Sequence, residues 1–295
     1  MNKIWFVTGS SRGLGRALVE AILAAGDKVV ATARKPEELA DLVKVHGDNI
    51  RTVRLDVTSP EDAERAMATA LGAFGRMDVL VNNAGYGFMG AFEEMSAAEF
   101  KGQIDTNFWG VVNVTRAALP LLRKQGSGHI IQVTSIGGRS AFPGLSGYHA
   151  AKFAVEGLSE ALAKEIKPLG LKLTVVEPGG FRTDWAGASM AFAKPIEAYT
   201  PTVGFMRDRI AERNGSQPGD PRKAAQAMLK LVDMAEPPLR LALGNDALDM
   251  LRHGYKSSSD ELEKWAEITQ STDFDDHVPS PMYQQVLENL KGNRA

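Results

Sequence analysis

The sequence predicts an α/β protein, a doubly wound parallel sheet with helices on both faces. Three observations point there. Short runs rich in Val and Ile alternate with amphipathic stretches through the first two-thirds of the chain. Most of those runs are almost wholly apolar, the pattern of strands buried on both faces. A glycine turn, TGSSRGLG, lies between the first run and the first helical stretch.

Strands are expected at 4–8, 28–33, 50–55, 79–82, 129–134 and 172–176, with a last one at 239–243. The first helix is expected at 16–25. Ser59 with Pro60, Glu61 and Asp62 supplies an N-cap, a first-turn proline and first-turn acids. Ser96 and Glu99 form a capping box, and Asn107 falls in the long helical stretch that follows. Residues 184–220 are rich in small, aromatic and methionine residues, then turn-prone, so a mobile cover of loops and short helices is expected there. Asp220-Pro221 restarts a helix, and Ser258 with Glu261 reads as the start of another around Trp265. From Ser271 the chain is polar until a short apolar stretch at 286–290.

A length of 295 residues fits about two domains, yet single α/β domains also reach it. One domain over 1–295 is expected, with the cover at about 184–220 and a C-terminal helical extension at about 245–295. The net charge of -2 leaves no broad basic field for nucleic acid or anionic lipid. The absence of cysteine excludes disulfides, a thiol nucleophile and Cys-based metal sites. The five histidines show no HExxH or paired spacing, so no metal is expected. No apolar stretch reaches the length of a membrane span or resembles a signal peptide, and a cytoplasmic protein is expected.

The chemistry begins with YHAAK. Tyr148 and Lys152 are four residues apart, which on a helix sets a phenol beside an ammonium on one face. Free tyrosine titrates near ~10 and is a poor base at neutral pH. A neighbouring ammonium stabilises tyrosinate and lowers that value. The glycine turn contributes Gly9, Gly13 and Gly15, spaced GxxxGxG, which permit close backbone approach to a pyrophosphate at the following helix N-terminus. Arg34 stands at the end of the second strand, where NAD-selective folds place an acid for the ribose 2′-hydroxyl. With Arg12 inside the turn, it favours a 2′-phosphate, hence NADP (NADPH) rather than NAD.

With these features the chain resembles the short-chain dehydrogenase/reductase family in its standard-length branch. The match runs in motif order over roughly residues 3–185: TGSSRGLG, then LDVT at 55–58, NNAG at 82–85, DTNFWG around Asn107, VTSIGG around Ser135, YHAAK, and PGGFRT at 178–183. The resemblance implies a Rossmann-type sheet of about seven strands in the order 3-2-1-4-5-6-7. It implies a catalytic set of Asn107, Ser135, Tyr148 and Lys152. It also implies cofactor contacts from Gly9, Ser11, Arg12, Gly13, Leu14, Gly15, Arg34, Asp56, Val57, Asn83, Ala84, Gly85, Tyr148, Lys152, Pro178, Gly179 and Thr183. Ser135 would donate a hydrogen bond to a substrate oxygen, and Asn107 would help hold a proton-relay water. A homo-oligomer is implied, formed through the helices that carry Asn107 and Tyr148.

Apolar residues at Tyr86, Phe88, Met89, Phe142, Leu145, Phe181, Trp185, Met190 and Phe192 suit a hydrophobic carbonyl or alcohol substrate. Arg139 and Arg182 are expected on the surface, and His149 is expected either satisfied or exposed. The leading expectation is a carbonyl reductase or alcohol dehydrogenase. Two others stay open: a non-catalytic NADP(H) sensor, and an epimerase or dehydratase of the longer related branch.

Overall fold

Seven strands form one parallel sheet in the computed structural model, which describes residues 2–187, 189–274 and 276–292. In chain order the strands are β1 (Ile4–Val7), β2 (Lys28–Ala33), β3 (Ile50–Arg54), β4 (Val79–Asn82), β5 (Gly87–Met89), β6 (Gly128–Val133), β7 (Leu171–Pro178), β8 (Met190–Phe192) and β9 (Arg240–Leu243). The sheet order is β3-β2-β1-β4-β6-β7-β9, and β5 pairs with β8 in a separate two-stranded sheet. Counting only the large sheet, this is the expected 3-2-1-4-5-6-7.

The helices are α1 (Gly13–Ala24), α2 (Ala40–His46), α3 (Pro60–Phe74), α4 (Ala97–Ile104), α5 (Gly110–Gln125), α6 (Ser146–Ile166), α7 (Phe205–Arg213), α8 (Pro221–Asp233) and α9 (Asn245–Lys264). Strand β1 shows how they divide. Its side chains alternate across the sheet, as the two-residue period of a strand requires. Trp5 and Val7 join the apolar cluster with Leu18 and Ile22 of α1 and Met228 of α8. Phe6 joins the opposite cluster, with Ala66 of α3, Leu122 of α5 and Leu162 of α6. Burying one such large side chain contributes about 1.5–3 kcal/mol, so the two-faced core fixes the register of the central strands.

Helix starts follow the sequence signals in three cases. Ser59 accepts a hydrogen bond from the Asp62 amide, Ser96 and Glu99 close a capping box, and Asp220 accepts from the Arg222 amide ahead of α8. A fourth start is corrected. Ser258 and Glu261 lie inside α9, because the helix begins at Asn245 and continues through them. Helix α1 begins at Gly13, three residues earlier than expected, inside the glycine turn itself.

The cover expected over 184–220 contains β8, short helical turns and α7. It is tied down at several points, for the Ala193 amide donates to the Met89 carbonyl (2.8 Å) and the Tyr199 hydroxyl to Glu93 (2.7 Å). Position 188 lies outside the described residues.

The chain divides into a unit ending at Leu251 and a second beginning at Arg252. The second contains the end of α9, α10 (Ala266–Gln270) and α11 (Pro281–Gly292). Among the described residues no helix is long and apolar enough to cross a membrane.

Candidate active site

Helix α6 carries Tyr148 in its first turn and Lys152 one turn further, both buried at 6% and 5% exposure. The Lys152 Nζ donates to the Val133 carbonyl (2.9 Å) at the end of β6 and stands 5.7 Å from the centre of the Tyr148 ring. Two residues along that strand end, Ser135 accepts a hydrogen bond from the Gly137 amide (3.0 Å), which turns the chain back over α6. The Ser135 hydroxyl stands near enough to the Tyr148 phenol to favour its ionised form, and itself reaches the Pro178 carbonyl (3.5 Å).

Asn107 lies between α4 and α5, in a single wider helical turn, Asp105–Trp109. Such turns insert one extra residue into a helix. Asn107 is fully buried, accepts from the Tyr86 amide (3.0 Å) and donates to the Tyr86 carbonyl (2.9 Å). Its Oδ1 approaches Gly85 so closely that a Cβ there would lie 2.7 Å away, with Lys152 Nζ 3.8 Å from the same point. Ser135 meets Tyr148, Lys152 lies beside the Tyr148 ring, and Asn107 and Lys152 meet at Gly85.

Burial governs the protonation of this site. It pushes the Tyr148 phenol up to about 12, against the downward pull of the Ser135 hydroxyl. It pushes the Lys152 ammonium down to about 8, against the Glu156 carboxylate. The expected lowering of Tyr148 by Lys152 is therefore not met in the chain alone, because loss of solvent disfavours the charged form of both groups.

The glycine turn faces the NNAG segment. Gly9 has φ +66°, and a Cβ there would meet the Ala84 Cα at 2.8 Å. A Cβ on Gly15 would lie 2.2 Å from the Gly9 carbonyl and 2.5 Å from Asn83 Nδ2. Asn83 donates to the carbonyls of Thr8 and Gly9 (3.0 and 3.1 Å), and Thr8 Oγ1 accepts from the amides of Asn83 and Ala84 (2.9 and 3.0 Å). Thr8 carries no separate sequence signal, although it opens the glycine motif.

Helix α1 has no side-chain cap and no acid in its first turn, so no side chain of its own first turn competes for the N-terminal amides. Those amides and the helix dipole fit a pyrophosphate. A cleft of about 270 Å³ opens here, lined by Gly13, Arg16, Glu20, Arg182, Thr183, Asp184 and Arg222. Leu14 packs against the core below, and Ser11 is half-buried. Arg12 and Arg34 are exposed, whereas Arg16 is held by Glu20 and Asp41.

Asp56 binds the Thr58 amide and hydroxyl (3.0 and 2.7 Å), and buried Val57 fits under Gly110 of α5. At the end of β7, Pro178 leads into Gly179 and Gly180. The Gly180 amide donates to Asp246 (2.8 Å), a residue without a sequence signal, and Thr183 caps the next turn through the Trp185 amide (3.3 Å).

Of the expected apolar lining, Met89, Phe142, Leu145, Trp185 and Met190 cluster with Tyr148, joined by Met206 and Ile210 of α7, which the sequence pattern did not reveal. The Trp185 and Tyr148 rings are 5.4 Å apart. Tyr86 and Phe88 belong instead to a cluster with Met95 and Phe100. Phe181 packs against the core beneath the sheet, and Phe192 is 47% exposed. Arg139 is corrected from a surface residue to a partner of buried Glu177 (3.0 Å), while Arg182 is exposed but donates to the Gln217 carbonyl (2.6 Å). His149 is buried between the Gly137 carbonyl (2.7 Å) and the Phe142 amide (3.2 Å). No cluster of three potential metal ligands occurs among the described residues. A second groove, about 640 Å³ and lined by Phe92, Phe100 and Trp109, contains none of the expected site residues.

Comparison with known proteins agrees with this arrangement. The family model described as short chain dehydrogenase matches residues 3–193. The oxidoreductase BOA17 of Botryotinia fuckeliana is 47% identical over 91% of this chain and 98% of its own length. The crystal structure of a short-chain dehydrogenase from Streptomyces avermitilis superposes with a TM-score of 0.88 at 44% identity, covering 93% of this chain and all of that one. An alcohol dehydrogenase from Thermococcus sibiricus, complexed with 5-hydroxy-NADP, is 27% identical with a TM-score of 0.68, over 82% of this chain and 96% of that one. With its motif order, its sheet topology and these relatives, the chain belongs to the short-chain dehydrogenase/reductase family of nicotinamide-dependent oxidoreductases.

Proposed function

We propose that the protein is an NADP-dependent reductase or dehydrogenase of a hydrophobic carbonyl or alcohol, with Tyr148 as general acid and base. The observation that carries the reading is the meeting of Ser135, Tyr148 and Lys152 beside an apolar cluster of Met89, Phe142, Trp185 and Met190. When bound, the nicotinamide supplies or accepts the hydride. The Tyr148 hydroxyl donates its proton to the substrate oxygen in reduction and withdraws it in oxidation. A second hydrogen bond, from Ser135, stabilises the charge developing on that oxygen. Lys152 stabilises the tyrosinate left behind, and Asn107 positions the backbone at Tyr86 and Gly85 from which a relay water reaches Lys152.

Arg12 and Arg34 support NADP, because guanidinium pairs well with a 2′-phosphate and no acid ends β2. The remaining cofactor contacts in the proposal are Gly9, Ser11, Gly13, Leu14, Gly15, Asp56, Val57, Asn83, Ala84, Gly85, Tyr148, Lys152, Pro178, Gly179 and Thr183. The family resemblance extends it to a single functional domain working as a cytoplasmic homo-oligomer.

The test is absorbance of the reduced cofactor with NADPH or NADH and a panel of apolar ketones, aldehydes and quinones. Turnover is expected, with NADPH preferred at least tenfold. Arg34→Asp is expected to remove that preference, and an unchanged preference would sink the NADP assignment. Tight NADPH binding without turnover on any carbonyl would return the sensor reading.

A further inference from the structure

Glu156 is a buried carboxylate that the proposed mechanism leaves unused. It lies one turn beyond Lys152 on α6 and is 4% exposed. Its Oε1 accepts from the Thr134 hydroxyl (2.6 Å), and its Oε2 accepts from Arg240 Nε on β9 (3.0 Å). Thr134 is the single residue between Val133, whose carbonyl holds Lys152 Nζ, and Ser135. The turn after Ser135 rests on the same carboxylate. A Cβ on Gly138 would stand 3.0 Å from Glu156 Cγ and 3.3 Å from its Oε1.

In the surrounding charge network cations already outnumber carboxylates. Glu177 on β7 is buried, accepts from Arg139 (3.0 Å) and stands 3.9 Å from Arg240 Nε. Glu160, on the next turn of α6, binds Arg240 Nη2 (2.8 Å) and also pairs with Lys164 (3.1 Å). Thus the four cations Lys152, Arg139, Lys164 and Arg240 stand against three carboxylates, Glu156, Glu160 and Glu177. From the other elements against α6, Asn107 is neutral and Asp105 is paired with Lys101; on α6 itself, His149 is engaged by Gly137. Removing the Glu156 charge widens the surplus of positive charge around Lys152. A buried ion pair is a weak source of stability, since well-packed apolar residues often replace one at no loss. Stability alone therefore does not account for an acid at this position.

We propose that Glu156 is a positioning residue for the Tyr148–Lys152 site: through the Thr134 hydroxyl it holds the Val133–Ser135 segment in place on α6, and its carboxylate is the counter-charge of the buried Lys152 ammonium. This rests on the reading of Tyr148 and Lys152 given above. Without the carboxylate, Lys152 loses its proton at lower pH, so activity that needs the ammonium falls earlier as pH rises.

The test compares Glu156→Gln, Thr134→Val and Thr134→Ser with the parent enzyme, using NADPH and a ketone the enzyme reduces. In Glu156→Gln the alkaline limb of the kcat/KM profile is expected to move down by about one pH unit. The Kd for NADPH should stay within about twofold. Thr134→Val keeps every charge, so its limb should stay in place while kcat falls about tenfold, and Thr134→Ser should restore kcat. An alkaline limb at the parent pH in folded Glu156→Gln overturns the proposal. If Glu156→Gln does not fold, Thr134→Val decides in its place, and parental kcat in that variant overturns the proposal. Tyr148→Phe separates the two levels: if it stays active, the reading of the site itself fails. If it is inactive while Glu156→Gln matches the parent, only the role of Glu156 fails.

Discussion

Between residues 8 and 15 the chain meets the NNAG segment through backbone atoms and fixed hydrogen bonds. Between 184 and 213 it meets Tyr148 through side chains, chiefly Trp185, Met190, Met206 and Ile210. The first region has no room to change: Gly15 touches the Gly9 carbonyl and Asn83, and Asn83 in turn holds two carbonyls of the glycine turn. The second is built from long apolar groups, two of its four named contacts being methionines, which repack at small cost. The contrast fits the two tasks proposed for these regions. A cofactor that is the same for every reaction suits a rigid backbone cradle, whereas the substrate side suits a surface that different side chains reshape.

Substitutions graded across the two regions test this contrast. Gly15→Ala should have the largest effect, since its Cβ would lie 2.2 Å from a backbone oxygen that cannot move independently. Overpacking of this kind costs about 1–3 kcal/mol, and cofactor affinity should fall roughly tenfold to hundredfold, measurable by fluorescence titration with NADPH. An alanine variant that binds like the parent would show the cradle to be adaptable. Trp185→Ala removes the ring packed on Tyr148 and should raise KM for a bulky substrate about tenfold, with the NADPH Kd unchanged. A matching loss of cofactor affinity would erase the distinction between the regions. Phe192→Ala should be the smallest, within about 0.5 kcal/mol in thermal stability, because that side chain is half exposed. A large loss there would mean that the cover is held more firmly than its packing implies.

The legible parts of the molecule are those whose signal is local. The strands of the large sheet are readable because most are short apolar runs with their own flanks. The caps at Ser59, Ser96 and Asp220 are readable because each cap is completed within three residues. The pairing of β5 with β8 is not, since three residues carry no periodicity and Gly87 pairs with Met190 across more than a hundred positions. Ser258 misleads for the opposite reason. A capping pattern of two residues recurs by chance inside a helix whose start, at Asn245, decides the outcome.

In the site, the helical spacing of Tyr148 and Lys152 is legible, but the balance of forces on them is not. Their spacing brings the ammonium near the phenol, yet only the packing shows that both are buried deeply enough for desolvation to dominate. Asp246, Glu156 and Arg240 give no sequence signal because their roles arise from contacts between distant segments.

That balance also sets the sign of the pH dependence. Burial lowers Lys152 to about 8 in the folded chain, below its ordinary value of 10.5. Between these values the unfolded chain holds the proton that the folded chain has released. This group therefore disfavours folding below about pH 8, and its penalty is relieved as pH rises from about 8 towards 10.5. Activity should move the other way, declining through the region of pH 8 as the ammonium is lost. Parallel thermal melts and kcat/KM profiles would read the two opposed trends.

The central claim is that the Tyr148 hydroxyl exchanges the proton with the substrate oxygen. The most direct measurement is single-turnover reduction by Tyr148→Phe with bound NADPH, alongside the Kd of the cofactor. The account predicts a fall in rate of about a thousandfold, with affinity for NADPH within about twofold of the parent. A variant that reduces substrate at the parental rate would contradict it.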